Sequence, residues 1–134
     1  MIKKQFTLYL ENKPGELARV TKILATKKVN IEGISVSAGI DVALVQLIAD
    51  NASATGKTLK KAGVPYTTQN VAVVPLRNEA GALELVVSKL ASEKVNIDYV
   101  YATACVDSDC ECYVVISARE LKKVESVCKK CMRR

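Results

Sequence analysis

Apolar residues recur along this chain at two different spacings. At the start, Phe6, Leu8 and Leu10 alternate with polar neighbours, which is typical of a strand with one apolar face. From residue 17 to residue 24, apolar residues are instead three and four positions apart, the spacing of one face of a helix. Runs of both kinds continue towards the end of the chain. The pattern therefore predicts a mixed protein of the α+β class.

The first half of the chain predicts six elements. They are a strand at Phe6–Leu10, a helix from Pro14 to about Lys27, strands at Ile31–Ala38 and Val42–Ala49, a helix at Ser53–Ala62 and a strand at Val64–Thr67. This order is βαββαβ, the ferredoxin-like unit, in which both helices cover one face of an antiparallel sheet. We expect Ile34 and Val36 on the face towards the helices.

The second half repeats the first at a fixed offset. Asn12-Lys13-Pro14-Gly15-Glu16-Leu17 is matched 66 residues later by Asn78-Glu79-Ala80-Gly81-Ala82-Leu83, and Val29-Asn30-Ile31 by Val95-Asn96-Ile97. One fixed offset indicates two copies of one structural unit. We therefore predict two ferredoxin-like units, at residues 1–69 and 70–134. The second has little chain left for its own fourth strand.

Two strands of the second copy are apolar at every position, at residues 71–76 and 113–116. Unbroken apolar runs are typical of strands that are buried on both faces. Because the helices cover only one face, something else must cover the other. A second copy of the chain is the simplest candidate, so we predict a homodimer.

Composition excludes several classes of protein. Hydrophobic residues make up 49% of the chain, yet no run of 18 apolar residues is present, so we expect no membrane span. A strand pattern follows Met1–Lys4 directly, without the apolar segment of a signal peptide, so we expect a cytoplasmic protein. Histidine is absent, which excludes Ser-His-Asp and Cys-His catalysis within the chain and any histidine-ligated metal.

The net charge of +6 is concentrated at the end of the chain. Residues 119–134 contain seven basic residues and only two acidic ones. Basic residues suit the negative end of a helix macrodipole, and this explanation is favoured. Nucleic-acid binding is not expected, because neither interleaved aromatic residues nor a wider basic face is present.

The repeated pattern of Asn-x-Pro-Gly-x-Leu before a helix and Val-Asn-Ile before a strand resembles the ACT domain, a small regulatory module that binds amino acids. The resemblance covers residues 4–69 and 70–130. It implies two modules side by side in one extended sheet, with an amino acid bound at the seam between them. The implied ligand-binding positions are Asn12, Pro14, Gly15, Leu17, Asn30, Ile31, Asn78, Gly81, Leu83, Asn96 and Ile97.

Local chemistry supports several of these positions. Asparagine offers both donors and an acceptor, and free backbone N–H groups at a helix start favour a carboxylate. Two alternatives stay open: Asn12 as a simple helix cap and Asn30 as a turn residue. In the second copy Ala80 and Ala82 replace Pro14 and Glu16, so either one or both sites bind.

The resemblance implies a non-catalytic regulatory protein rather than an enzyme. We expect it to bind a free amino acid, to need no cofactor, and to modulate a separate enzyme of amino-acid metabolism.

The cysteines suggest the main alternative function. In a βαββαβ unit the last helix returns towards the hairpin, which would bring together Cys110, Cys112, Cys128 and Cys131. We expect these four to be close, either as free thiols, as a Zn²⁺ site or as disulfides. The alternative function is therefore a thiol-based metal or redox sensor on the same fold.

A third candidate, an ATP-using enzyme, depends on residues 51–58, which nearly match a phosphate-binding P-loop. The segment lacks the first glycine of that motif, with Asn51 in its place. A capped helix start with an exposed lysine is the favoured interpretation.

Overall fold

The computed structural model describes residues 1–103 and 112–132. The elements in chain order are β1 (Ile2–Glu11), α1 (Glu16–Thr26), β2 (Ile31–Ala38), β3 (Val42–Ala49), α2 (Ala52–Lys61), β4 (Tyr66–Leu76), α3 (Ala82–Ser92), β5 (Ile97–Ala102), β6 (Cys112–Ala118) and α4 (Leu121–Met132). The order strand, helix, strand, strand, helix occurs twice, which confirms the predicted pair of ferredoxin-like units. Within the described ranges, no helix combines the length and the apolar character that a membrane crossing requires.

Residues Lys4–Gln69 form one compact unit, the N-terminal unit. Its strands lie in the order β2-β3-β1 and are antiparallel. The N–H of Tyr9 donates to the carbonyl of Pro65 at 3.1 Å, which joins β1 to the segment entering β4. Both helices pack on one face of this sheet, as predicted. The core between them consists of Phe6, Leu8, Leu10, Val20, Leu24, Val29, Val45, Leu47, Leu59 and Val64.

The edge strand β2 has its apolar side chains where they were expected. Ile34 pairs with Leu47 and Val36 pairs with Val45, and both partners are core residues. Because directly paired residues share a face of the sheet, Ile34 and Val36 lie on the helix side. They are nevertheless 40% and 45% exposed, since an edge strand is only partly covered by the helices.

The start of α2 explains the P-loop-like segment. The Asn51 side chain accepts a hydrogen bond from the N–H of Ala54 at 3.0 Å, which makes Asn51 the N-cap of the helix. Lys57 is exposed, whereas Thr55 and Thr58 are buried. The preceding strand β3 pairs antiparallel with both of its neighbours. The segment is therefore a capped helix start, as favoured above.

The second compact unit, the C-terminal unit, consists of residues 70–134 together with Met1–Lys3. The predicted ranges place those three residues in the other unit. Its strands lie in the order β4-β6-β5 and are antiparallel. The two strands predicted at 64–67 and 71–76 are one strand, β4, whose first four residues belong to the N-terminal unit. The core consists of Ala72, Val74, Val86, Leu90, Val95, Val114, Ile116, Ala118, Val124, Val127 and Cys128.

The second copy was predicted to have too little chain for its own fourth strand. Residues 1–3 take the place of that strand beside β4. The N–H of Val73 donates to the carbonyl of Met1 at 2.7 Å, and the Met1 ammonium donates to the carbonyl of Val73 at 3.1 Å. The same ammonium lies 3.4 Å from the Glu125 carboxylate of α4, and this contact lowers the pKa of Glu125. The start of the chain thus completes the unit formed by the end of the chain.

The apolar strands of this unit are buried on both faces, as predicted. Val74 and Val114 pair with each other and belong to the core on the helix side. Val73 and Val115, which pair on the opposite face, are only 8% and 1% exposed within a single chain. Their burial therefore requires no second chain. The homodimer stays a prediction, without support from these strands.

Candidate functional site

The first candidate turn leads from β1 into α1 around Gly15. Gly15 is the N-cap of α1 and adopts φ +90° and ψ −15°, a left-handed conformation that favours glycine. The N–H of Lys13 donates to the Glu11 carbonyl at 2.9 Å, and the N–H of Arg19 donates to the Gly15 carbonyl at 2.9 Å. A Cβ atom at Gly15 would meet no atom within 4 Å. The backbone requires the glycine, and the space beside it is open.

The second candidate turn repeats this geometry around Gly81. Its φ is +89° and its ψ is −9°, again at the N-cap of a helix. The N–H of Glu79 donates to the Arg77 carbonyl at 2.9 Å, and the N–H of Leu85 donates to the Gly81 carbonyl at 3.0 Å. No atom lies within 4 Å of a Cβ built at Gly81. The repeat in sequence is therefore also a repeat in backbone conformation.

Each turn presents free donors beside an exposed leucine. The first backbone N–H groups of a helix have no partner within it and carry its partial positive charge. Among the described residues, the N–H groups of Leu17 and Ala18 in α1, and of Leu83 and Glu84 in α3, have no acceptor. Leu17 is 39% exposed and Leu83 is 42% exposed. Each turn can thus offer hydrogen bonds to an anion and apolar contact to a neighbouring group.

Asn12 attaches the first turn to the β2–β3 hairpin. Its Nδ2 donates to the Gly39 carbonyl at 2.8 Å and to the Ile40 carbonyl at 3.5 Å, and its backbone N–H donates to the Asp41 carbonyl at 3.0 Å. Gly15, not Asn12, is the N-cap of α1, so the helix-cap alternative for Asn12 is wrong. The Oδ1 of Asn12 accepts no hydrogen bond from a described residue. Asn12 positions the turn and retains one free acceptor.

Two ion pairs border the first turn. Lys13 Nζ lies 2.9 Å from Glu11 Oε2, and Arg19 Nη2 lies 3.1 Å from Glu16 Oε2. The hydrogen bond from Arg19 lowers the pKa of Glu16, and the hydrogen bond to Glu11 raises the pKa of Lys13. A carboxylate is therefore already present in the first turn of α1, where the helix dipole favours one.

The second turn lacks this arrangement. Ala82 and Leu85 occupy the positions of Glu16 and Arg19, and Leu85 is exposed. The acidic residue in the first turn of α3 is Glu84, whose side chain is hydrogen-bonded to Ser88 one turn further on. Glu16 and Arg19 are not among the site residues predicted from the sequence. Their absence from the second copy was the signal that could have identified them.

Asn30 lies at the other end of the N-terminal unit. Its backbone N–H donates to Asp50 Oδ1 at 3.0 Å, and the N–H of Asp50 donates to the Asn30 carbonyl at 3.0 Å. Asn12 is bonded to the opposite end of β3, about 25 Å away for a strand of this length. The structure therefore does not bring Asn12 and Asn30 together within their own unit. Asn30 holds the α1–β2 connection through its backbone, as expected of a turn residue.

The remaining predicted residues fall into two groups. Ile31 and Ile97 are partly buried and pack against the cores of their own units. The exposed candidates are Asn12, Pro14, Gly15, Leu17, Asn30, Asn78, Gly81, Leu83 and Asn96.

Three of the four cysteines that are expected to lie close together are among the described residues, and their clustering stays a prediction. Cys112 and Cys128 are buried, Cys131 is half-buried, and all three are free thiols. Burial, with a smaller contribution from Cys131, raises the pKa of Cys128 to about 11, and a protonated thiol is a poor ligand and nucleophile. Among the described residues, no group of three His, Cys, Asp or Glu side chains could hold a metal ion. Cys105 and Cys110 lie outside the described residues, so a zinc site that includes Cys110 stays a prediction.

Comparison with known proteins gives a family and a set of similar structures. The sequence model of the ACT domain pair family matches residues 1–125. The crystal structure of protein BT0572 from Bacteroides thetaiotaomicron is 29% identical, with a TM-score of 0.88 over 98% of this chain and 90% of that chain. The ligand-free regulatory subunit of aspartate kinase from Thermus thermophilus has a TM-score of 0.68 at 16% identity, covering 97% of this chain and 94% of that chain. The corresponding subunit from Thermus flavus has a TM-score of 0.59 at 14% identity, covering 98% of this chain and 95% of that chain. No curated protein sequence matches the chain.

The likeness to the aspartate kinase subunits concerns the fold. The family assignment rests on the matched sequence, which includes both glycine turns and the elements that follow them. With residues 1–125 matched and the element order strand, helix, strand, strand, helix present twice, the chain belongs to the family of ACT domain pairs.

Proposed function

We propose that this protein is a non-catalytic regulator that binds free amino acids at its glycine turns. The observation that carries the proposal is the pair of turns at Gly15 and Gly81, which share one backbone conformation and open space beside it. Backbone N–H groups at a helix start bind carboxylates well, and every free amino acid carries one. The chain belongs to the family of ACT domain pairs, and the ACT domain is the amino-acid-binding module that the sequence resembles. This membership supports the same ligand class.

The exposed leucine beside each turn favours a particular orientation of the ligand. With the ligand carboxylate at the helix start, its side chain can contact Leu17 in the first unit or Leu83 in the second. Both leucines are more than one third exposed, so part of their apolar surface is available for contact. Burying that surface adds about 25 cal/mol per Å² of apolar area, so we expect apolar amino acids to bind more tightly than glycine.

The two turns should differ in affinity. In the first turn the Glu16 carboxylate already neutralises part of the positive helix end, and it holds Arg19 in an ion pair. In the second turn, Ala82 leaves that position without charge. Glu79 and Glu84 instead place carboxylates at other positions around the second turn, so we propose that the two turns bind the ligand with different affinities.

Regulation requires a partner. A ligand changes a partner's activity only if it favours one conformation over another, and the coupling is reciprocal. Structures of similar fold are regulatory subunits of aspartate kinase, and we propose that this chain likewise modulates a separate enzyme of amino-acid metabolism. Co-purification of such an enzyme, with a change in its activity on adding the amino acid, tests this part.

A thermal-shift screen of the full chain with each of the twenty amino acids tests the ligand class. A ligand at a hundredfold excess over its dissociation constant adds about 2.7 kcal/mol to the free energy of unfolding. For a chain of this length that corresponds to a rise in Tm of about 10 °C. If no amino acid raises Tm, the proposed function is wrong.

Exchanging residues between the turns tests where the ligand binds. Ala82→Glu adds a carboxylate at the start of α3, which the helix dipole tolerates, so the protein should fold normally. Calorimetric titration should show binding at that turn weakened about three- to fivefold. Ala91→Glu, which adds the same charge at an exposed position in the last turn of α3, should leave the affinity unchanged. Glu16→Ala should strengthen binding at the first turn. If the amino acid still raises the Tm of Ala82→Glu and binds it with unchanged affinity, the ligand class stands but the ligand does not bind at the Gly81 turn.

A further inference from the structure

The solvent side of α4 carries four exposed lysines. Lys122 and Lys123 lie in the first turn of the helix, and Lys129 and Lys130 lie in the last turn. Each first-turn lysine precedes a last-turn lysine by seven residues, or two helical turns, so the two pairs lie on one face about 10 Å apart. We call these four residues the lysine face of α4.

The lysine face takes no part in packing the C-terminal unit. The opposite side of α4 contributes Val124, Val127 and Cys128 to the core, and all three are buried. Among the described residues of α4, no large apolar side chain is exposed. The helix is therefore apolar where it packs on its own unit and basic where it meets solvent.

The helix macrodipole accounts for only half of the lysine face. A helix is partially positive at its start and partially negative at its end, so cations are favourable in the last turn and unfavourable in the first. Lys129 and Lys130 suit the helix, as expected from the sequence. Lys122 and Lys123 oppose it, and the first turn of α4 contains no acidic residue. The stability of the helix does not explain these two lysines.

Comparison with α2, the corresponding helix of the first unit, isolates the same pair. Counted from the helix start, the last-turn lysines of α4 have exposed counterparts in Lys60 and Lys61 of α2. The first-turn lysines have none, since Ser53 and Ala54 occupy their positions. The second copy has therefore gained two positive charges at a place where its own helix disfavours them.

The ion pairs of α4 leave part of this charge uncompensated. Glu120 lies 3.8 Å from Lys123, and Glu125 lies 3.4 Å from Lys129. Within the described ranges, neither Lys122 nor Lys130 has an acidic partner. The lysine face thus combines two unpaired ammonium groups with two interleaved carboxylates.

This arrangement favours a protein partner over other polyanions. A nucleic acid presents a continuous row of phosphates, which the interleaved carboxylates of Glu120 and Glu125 would repel. A helix that lies on a membrane inserts an apolar face, and the apolar face of α4 is buried in its own core. Separate acidic side chains of a protein can pair with the free lysines and avoid the two carboxylates.

We infer that the lysine face of α4 docks an acidic surface of a partner protein. Lysines that oppose their own helix dipole are accounted for by carboxylates supplied from outside, and such complementary charges speed association and select the partner. The inference is independent of amino-acid binding at the glycine turns, because those turns lie at the starts of α1 and α3.

Titration of the ¹⁵N-labelled full chain with an acidic peptide, followed by NMR at low ionic strength, tests the surface. The probe is an alanine-rich helical peptide with pairs of glutamates seven residues apart, which matches the spacing of the lysines. The amide signals of the lysine face should shift and saturate, and added salt should weaken the binding. The same peptide with glutamine in place of glutamate should not bind. No saturating shift with the acidic peptide would overturn the inference.

Two other anionic probes distinguish the class of partner. A short DNA duplex and vesicles of phosphatidylserine and phosphatidylcholine are titrated at the same concentration of negative charge as the peptide. Both should bind more weakly than the acidic peptide. Tighter binding of the duplex or of the vesicles at α4 would overturn the inference of a protein partner.

Matched charge reversals locate the binding. Lys122→Glu combined with Lys123→Glu should weaken peptide binding about tenfold, because each reversal removes an attraction and adds a repulsion. Lys60→Glu combined with Lys61→Glu makes the same charge change on α2 and should leave binding within about twofold. Equal weakening in both double variants would show a response to net charge alone and overturn the inference.

Thermal unfolding without the peptide separates binding from stability. Lys122→Glu places a carboxylate at the helix start and should raise Tm by about 2–4 °C while it weakens peptide binding. Lys130→Glu, in the last turn, should weaken binding too but lower Tm. Such opposite shifts in Tm are not expected of residues that serve only the fold. A lowered Tm in Lys122→Glu would contradict the argument that Lys122 opposes its own helix.

Discussion

At the starts of α1 and α3 the same left-handed glycine ends the turn, but different side chains surround it. The φ angles of Gly15 and Gly81 are +90° and +89°. Around the first, Glu16 and Arg19 form an ion pair, whereas the equivalent positions of the second carry an alanine and an exposed leucine. The backbone of the repeat is thus retained while the charge at the helix start differs. Two copies of one unit can therefore present two different sites.

The connections before β2 and β5, at the other end of each unit, also combine a repeated backbone with different side chains. Asp50 caps the N–H of Asn30, whereas the N–H of Asn96 has no acceptor among the described residues. At the helix start the first copy has an ion pair that the second lacks, and before the second strand it caps an N–H that the second leaves uncapped within the described ranges.

The largest expected difference between the units is in their cores. Leu59 and Cys128 are each the eighth residue of the second helix of their unit, and both are almost completely buried. Leu59→Ala removes three carbon atoms and should lower the free energy of unfolding by about 3 kcal/mol. Cys128→Ala removes one sulfur atom and should cost about 1 kcal/mol. Urea unfolding with site-resolved hydrogen exchange measures both losses, and equal losses would contradict the expectation that the cost follows the buried volume removed.

The glycine turns should respond equally to substitution. Gly15→Ala and Gly81→Ala each force a side chain into positive φ, at a cost of about 1–2 kcal/mol, with no added clash because the space is open. Asparagine tolerates this conformation better, so Gly15→Asn should cost less. Thermal unfolding of the variants, without ligand, is the measurement. A large loss at one turn and none at the other would show that the two backbones differ in solution.

Glycine should stabilise the protein at the positions of Lys28 and Lys94, which lie just beyond the ends of α1 and α3. Lys28 and Lys94 adopt positive φ, where a side chain is strained. Lys28→Gly and Lys94→Gly should each raise the free energy of unfolding by about 0.5–1 kcal/mol, after allowing for the greater freedom of glycine in the unfolded chain. Lys27→Gly is the control, because Lys27 has φ −91° and should gain nothing.

The smallest expected effect concerns pH, and it should occur only in the first turn. The hydrogen bond from Arg19 lowers the pKa of Glu16 below its ordinary value in the folded protein. The pair therefore stabilises the protein at pH above that ordinary value, and the stabilisation is lost as the pH falls through the lowered pKa. Arg19→Leu, which introduces the residue of the second copy, should return the pKa of Glu16 towards its ordinary value. NMR titration of the Glu16 carboxyl carbon measures it, and an unchanged pKa would show that the ion pair does not persist in solution.

The sequence by itself determined the architecture of each unit. Alternating residues such as Phe6 and Leu8 specify a strand face, and the spacing of Val20 and Leu24 specifies a helix face, because both periods are properties of the local backbone. The fixed offset between Gly15 and Gly81 revealed the repeat. These features depend on residues that are neighbours along the chain.

Only the tertiary structure decided which distant residues meet. Nothing local to Met1 indicates that it pairs with Val73, and nothing local to Asn12 indicates that its side chain bonds the hairpin 27 residues further on. The hydrogen bond from the Asn30 N–H to Asp50, 20 residues further on, likewise depends on how the strands pair. Long-range hydrogen bonds of this kind follow from how the strands pair and are shared between segments that carry no common pattern. That is why the elements could be predicted from the sequence, whereas the contacts that complete each site could not.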